Sequence, residues 1–253
     1  MKKIHKNKDI SLLIKLCRLT TREVMLVVRK KALECGYQNK DIHLDPNFKY
    51  LYIEGDDKTY PVFVAHADTV RDITSLNIAP VNEFFYDGNM QVLWSPDLAG
   101  FDDRAGIAAI MKLIGTTDHR FPILILDKEE VGGLGAIDFC SDYTDKEGEP
   151  LRKFKFFVEL DRQGYNDSVF YGCKNSFFEF YINSFGFETQ KGSFSDISYL
   201  APIFNCAGVN LSIGYKDEHT FAERLYLEDF YETINKIKHL LDTAEKTPYF
   251  IYI

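Results

Sequence analysis

The sequence predicts a three-layer α/β/α sandwich with a mixed, largely parallel central sheet. Three observations carry that expectation. Strand-like and helix-like segments alternate along the chain, the pattern of a sheet covered by helices on both faces. Phe121 to Leu126 is a continuous apolar run, as a strand buried on both faces requires. An excess of strand-like segments between residues 154 and 183 brings antiparallel partners into the sheet.

The elements follow in order. Leu12, Leu13 and Leu16, then Val24, Leu26, Val27 and Val28, recur at helical intervals up to Cys35-Gly36. Thr20 with Glu23 three residues on reads as a capping box that restarts a second helix. Tyr50 to Ile53 and Val62 to Ala65 read as strands around a turn at Gly55-Asp56-Asp57, and Gln91 to Trp94 as another strand. Ala105 to Leu113 reads as a helix whose small residues let it pack close on a sheet. After the Phe121 strand, Gly132-Gly133 breaks the chain before a short helix from Leu134, and Asp142 to Pro150 reads as an exposed loop. Phe154 to Leu160, Ser168 to Tyr171 and Phe177 to Ile182 read as strands, and Val209 to Ile213 as the last buried one. Leu227 to Leu241 closes the chain as an amphipathic helix. No repeat, low-complexity tract or linker divides residues 1–253, so one domain is expected.

Composition narrows the class. The chain has 253 residues, 45 % hydrophobic and 27 % charged, enough to bury a core without disulfides. Thirty Lys and Arg stand against 38 Asp and Glu, a net charge of −8 that disfavours nucleic acid or an anionic membrane as partner. Aromatic residues at 15 % exclude general disorder. Five scattered cysteines, Cys17, Cys35, Cys140, Cys173 and Cys206, lack a Cys-x-x-Cys pair, so neither a disulfide framework nor a thiolate zinc module is expected. The basic start from Met1 to Asp9 lacks a signal-peptide pattern, and no apolar stretch is long enough to span a membrane. A cytoplasmic protein is expected.

Function in an open α/β sheet is read at the carboxyl ends of its strands. Here apolar strands run into His66-Ala67-Asp68, Asp127-Lys128-Glu129-Glu130 and Glu159-Leu160-Asp161. Gly100-Phe101-Asp102-Asp103 opens the helix after the Trp94 strand, and Asp217-Glu218-His219 follows the last strand. Each block alone fits a structural role: a core histidine, a helix cap, a solvated acidic loop, a turn. Together they crowd carboxylates that repel one another, and a bound cation is the usual compensation. Imidazole and carboxylate without thiolate suit catalytic zinc, or Mn or Co. Residues two apart on a strand share a face, so Asp68 is placed to accept a ring N–H of His66. Adjacent Glu129 and Glu130 can divide the work of proton acceptor and ligand.

These blocks resemble the co-catalytic di-zinc exopeptidases of the MH clan, which include leucyl aminopeptidases, peptidase T, carboxypeptidase G and the aminoacylases. The matching blocks are His66-Ala67-Asp68-Thr69-Val70, Gly100 to Gly106, Glu129 to Ala136, Glu159-Leu160-Asp161, and His219 after Gly214-Tyr215, all in family order. The resemblance implies two divalent ions, zinc with Co or Mn as alternatives. Asp102 would bridge them and be joined to Asp103 by a cis peptide. One ion would take His66, Asp102 and Asp161, the other Asp102, Glu130 and His219. Glu129 would be the general base toward a metal-bridging water and Asp68 the partner of His66.

The intervals from His66 to Asp102 and from Asp161 to His219 are too short for the dimerisation or lid domain of larger relatives, so a minimal catalytic domain is implied. Asp at position 161 implies an aminopeptidase acting on small peptides. The alternative is an N-acyl-amino-acid amidohydrolase or carboxypeptidase on the same site. Glu159 is a rival ligand, Ser195-Asp196 a pocket or a helix cap, and Tyr215, Glu218 and Arg104 pocket or support residues. His5, His43, His119 and His239 fit no block and are expected at the surface, and Cys173 is expected as a buried thiol.

Overall fold

In the computed structural model, which describes residues 7–73, 81 and 83–253, the first two helices start at side-chain caps. Helix α1 (Lys8–Cys17) begins where the Asn7 side chain accepts the N–H groups of Asp9 and Ile10. Helix α2 (Thr21–Glu34) begins at the expected capping box, formed in both directions between Thr20 and Glu23. Strands β1 (Ile42–Leu44), β2 (Tyr50–Ile53) and β3 (Val62–His66) follow, then the single turn α3 (Val70–Ile73), β4 (Phe85–Asp87) and β5 (Val92–Trp94). Helix α4 (Phe101–Thr116), β6 (Ile123–Leu126), α5 (Leu134–Asp142), β7 (Phe157–Arg162) and β8 (Asp167–Val169) form the middle of the chain. The last part holds α6 (Ser176–Asn183), β9 (Glu188–Thr189), α7 (Ile197–Ile203), β10 (Gly208–Ser212), β11 (Tyr215–Lys216), β12 (Arg224–Tyr226) and α8 (Leu227–Thr243).

The main sheet runs β1-β2-β6-β3-β7-β10-β8-β9. Its centre, β6-β3-β7-β10, is parallel, whereas β1-β2, β2-β6 and β8-β10 pair antiparallel. Alternate residues of each strand feed two cores. Phe63, Ala65, Ile123 and Ile125 join Leu13, Val28, Ile110 and Ile237 from α1, α2, α4 and α8. Val62, Val64, Leu124 and Leu126 join Phe139 and Leu200 from α5 and α7. That is the expected helix–sheet–helix layering. A second, antiparallel sheet, β11-β12-β5-β4, was not expected from the sequence. Its Leu93, Tyr215 and Leu225 share the first core.

One expected strand is a helix. Phe177 to Ile182 lies in α6, where Asn175 caps the N-terminus by accepting the Phe178 N–H. Phe178 and Ile182, one helical turn apart, are buried, while Phe177 and Phe180 are 81 % and 77 % exposed. Aromatic density suggests a strand, but burial follows the helical spacing. The antiparallel pairs of the sheet come instead from β1, β2 and β8.

Candidate metal centre

Because β6, β3 and β7 are adjacent and parallel, their carboxyl ends lie side by side. The strand ends therefore bring His66, Asp127 and the segment after it, and Asp161 to one edge. Helix α4 supplies the fourth block. Its first residues depart from helical geometry at Asp102 and Asp103, and the peptide between them is cis, as the resemblance implied. Asp103 points back: its carboxylate accepts the Gly106 N–H at 2.9 Å and the His66 N–H at 3.3 Å. A Cβ at Gly106 would stand 2.2 Å from the Leu160 carbonyl oxygen, so only glycine lets α4 approach β7 this closely. Asp102 is thereby turned away from its own helix and toward the strand ends.

The side chains converge on Asp102. His66 Nε2 lies 2.9 Å from Asp102 Oδ1 and 3.2 Å from Asp161 Oδ1. His219, held at a left-handed φ of 61°, places its Nε2 3.0 Å from Asp102 Oδ2 and 3.0 Å from Glu130 Oε2. A single ring nitrogen cannot donate well to two carboxylates at once, but it belongs naturally with them around a cation. Two groups of three follow, His66, Asp102, Asp161 and Asp102, Glu130, His219, each with its ligand atoms within 4.8 Å of one another. They share Asp102, and Glu129 is in neither. The residues fit divalent ions by donor chemistry, imidazole and carboxylate, and by the buried Glu130 Oε1, which has no hydrogen-bond partner.

Charge crowding shows in the protonation of the metal-free chain. Burial, joined by Asp161, Asp102 and Glu130, pushes the Glu129 carboxyl up to about 8. Burial and the Asp102 charge push Asp161 up to about 7. Hydrogen bonds to Asp102 and Glu130 carry His219 up to about 11. Burial also drives the Glu159 and Asp196 carboxyls well above their ordinary range.

Asp68 does more than the sequence suggested. His66 Nδ1 is nearest the Asp68 carbonyl oxygen, at 3.1 Å, with the carboxylate at 3.4 Å. The two oxygens of that carboxylate accept the N–H groups of Glu129 and Glu130, both at 3.2 Å. Asp68 thus ties the β3 end to the acidic pair. Tyr215 donates its hydroxyl to the Asp161 carbonyl oxygen at 2.8 Å and lies 3.1 Å from its carboxylate, a supporting role. Glu218 accepts from Gln163 at 2.6 Å and lines a cavity of about 320 Å³ over the site, with Tyr171, Phe194 and Arg162. Arg104 is elsewhere: it is fully buried and donates to the Leu19 carbonyl oxygen.

Glu159 is buried two residues behind Asp161 and outside both groups. Asp196 begins α7 without capping it through its side chain and is fully buried, while its neighbours Ser193 and Phe194 line the cavity. His43 pairs with Glu54, His119 with Tyr60 and Asp242, and His239 is exposed; His5 lies outside the described residues. Cys173 is half-buried rather than buried. Sequence reasoning passed over Glu223, 3 % exposed, whose carboxylate accepts the N–H groups of Gly100 and Asp102. Nothing local marks it, because the contact joins residues more than a hundred positions apart.

No family model matches the chain, and no curated protein sequence does. Solved structures do. A tripeptidase from Staphylococcus aureus superposes with a TM-score of 0.67 at 13 % identity, covering 95 % of this chain and 98 % of its own. An aminopeptidase PepT from Bacillus cereus gives 0.66 at 14 % identity, over 95 % of this chain and 98 % of its own. An aminopeptidase from the archaeon Desulfurococcus kamchatkensis gives 0.66 at 15 %, over 94 % and 95 %. At such identities the likeness establishes a shared fold. The fold expected from the sequence is thus one that solved peptidases adopt.

Proposed function

We propose that this chain is a metal-dependent aminopeptidase that hydrolyses short peptides. The observation that carries the reading is the pair of ligand groups meeting at Asp102. Two divalent ions, zinc or else Co or Mn, held by His66, Asp102 and Asp161 and by Asp102, Glu130 and His219 would supply Lewis acidity and an acidified water.

The chain's own residues would do the rest. Glu129 takes the proton from the attacking water and returns it to the leaving amine. Asp68 fixes Glu129 by its backbone and His66 by its ring, so base and ligand keep a constant separation. Asp103 ties the His66 backbone to α4, and Tyr215 steadies Asp161.

Several features support the substrate class. The cavity of about 320 Å³ is at the lower end of small-molecule pockets, roughly 300–1,000 Å³, and suits a peptide end better than a folded chain. Its lining includes Glu218, which lies outside both ligand groups and offers a carboxylate to a cationic α-amino group. The fold neighbours include proteins described as a tripeptidase and aminopeptidases. The reading includes one catalytic domain over residues 1–253, without an inserted dimerisation or lid domain, and a cytoplasmic place. Among the described residues no helix is long and apolar enough to cross a membrane.

The test is hydrolysis of free and N-acetylated di- and tripeptides, before and after chelation and with zinc restored. Free peptides should be cleaved, acetylated ones should not, and chelation should stop the reaction reversibly. Preference for the acetylated series would favour the amidohydrolase alternative.

A further inference from the structure

Two loops meet at the head of α4. One leads from β5 of the small sheet to Gly100 and Asp102. The other carries His219 and, four residues on, Glu223, immediately before β12. The strands that follow and precede these loops are neighbours, since Leu225 of β12 pairs with Leu93 of β5. The small sheet therefore fixes the two loops against each other.

Glu223 makes the direct link. Its Oε2 accepts the Gly100 N–H at 2.7 Å and its Oε1 accepts the Asp102 N–H at 2.9 Å. Both donors sit at the α4 N-terminus, where N–H groups lack helical partners. Gly100 is in the left-handed region at φ 70°, so its N–H is turned out of the helix and needs an acceptor from elsewhere. Glu223 is buried and belongs to neither ligand group, and both its oxygens are occupied by backbone, so it is not itself a ligand candidate. The same short segment thus holds Asp102 twice: His219 meets its side chain and Glu223 its backbone.

We propose that Glu223 is a positioning residue, which by holding the Gly100 and Asp102 N–H groups sets the angle at which Asp102 is shared between His66 and His219 and thereby the affinity for a second metal ion. This rests on the two-metal reading above. The first group keeps two anchors on the main sheet, His66 on β3 and Asp161 on β7. The second group has no main-sheet strand residue, because Glu130 and His219 both come from loops. A tilt of Asp102 therefore damages the second group more than the first. Hydrogen-bonded supports of this kind typically change metal affinity 10–100-fold.

The experiment is calorimetric titration of the metal-free full chain with zinc, comparing wild type with Glu223→Gln. The amide keeps the size but turns one acceptor into a donor facing an N–H. The expected result is two ions in wild type, and in the variant an unchanged first site with a second site weakened roughly 10–100-fold. If the variant does not fold when metal-free, as judged by circular dichroism, Glu223→Asp is titrated instead, with the same expected direction. Equal second-site affinity in variant and wild type overturns the inference while leaving the two-metal reading intact. Equal weakening of both sites overturns it as well, because that is the mark of general loosening. Wild type that binds fewer than two ions overturns the two-metal reading, and the inference with it.

Discussion

Asp68→Asn tests how the site is held together, since Asp68 joins three parts of it. The residue is 2 % exposed, and its carboxylate accepts the N–H groups of both Glu129 and Glu130 at 3.2 Å and lies 3.4 Å from His66 Nδ1. Asparagine keeps the volume and one carbonyl oxygen. The other oxygen becomes an NH2 that faces an N–H donor, so one hydrogen bond to a charged acceptor is lost and one donor is left without a partner. Such a loss costs about 1–3 kcal/mol. For a domain of this size each kcal/mol lowers the melting temperature by roughly 2–4 °C, so the metal-free variant should melt roughly 2–12 °C lower. The loop then carries Glu130 less well, and His66 loses a neighbouring charge, so zinc affinity should fall about 10–100-fold. Melting by circular dichroism and zinc titration read the two effects separately. A variant with wild-type melting and wild-type zinc affinity would refute the reasoning and leave Asp68 as a packing residue.

Four further outcomes are expected. Glu129→Gln should lower turnover about 10²–10⁴-fold with both ions retained, whereas Glu130→Gln should lose an ion; metal content and rate on both variants check the division, and the reverse pattern would exchange their roles. The metal-free protein should become less stable from pH 6 to pH 9, as melting curves after chelation would show. Burial raises Glu129 to about 8, so its neutral form is favoured below its ordinary value and that contribution is lost as pH rises through 8. His219, raised to about 11, adds stability that is complete below its unfolded value and fades toward 11, so both signs agree; a flat or rising profile would contradict them. Phe178→Ala should cost about 3–5 kcal/mol in denaturant unfolding and Phe180→Ala under about 0.5, whereas a strand over the same residues would make the two alike. Thr20→Ala should cost about 0.5–2 kcal/mol through the lost cap and leave zinc binding unchanged.

Much of this was legible in the sequence, for reasons that differ from element to element. The β6 segment is apolar throughout because both faces are covered, so its run of Ile and Leu is hard to misread. The α2 start was legible because its cap is local, confined to Thr20 and Glu23. His66 and Asp161 were legible because they stand at the carboxyl ends of strands, Asp102 because it stands at the start of α4, and Glu130 and His219 because their loops directly follow strands. What could not be read was long-range. The α6 segment has a strand-like composition, and only the unequal burial of Phe178 and Phe180 against the sheet decides it. The small sheet joins short strands from residues 85 to 94 and 215 to 226, too short to leave a periodic signal. Glu223 acquires its place only once that sheet brings the two loops together.

The most direct measurement for the central claim is metal stoichiometry joined to peptidase activity on the same preparation. Purified protein loaded with excess zinc and freed of unbound ion should contain two ions per chain by elemental analysis, and should release the N-terminal residue of a free tripeptide. Removing the ions should abolish that activity, and restoring them should return it. A chain that saturates at one ion with full activity would contradict the shared role of Asp102, and hydrolysis unaffected by chelation would contradict the metallopeptidase account as a whole.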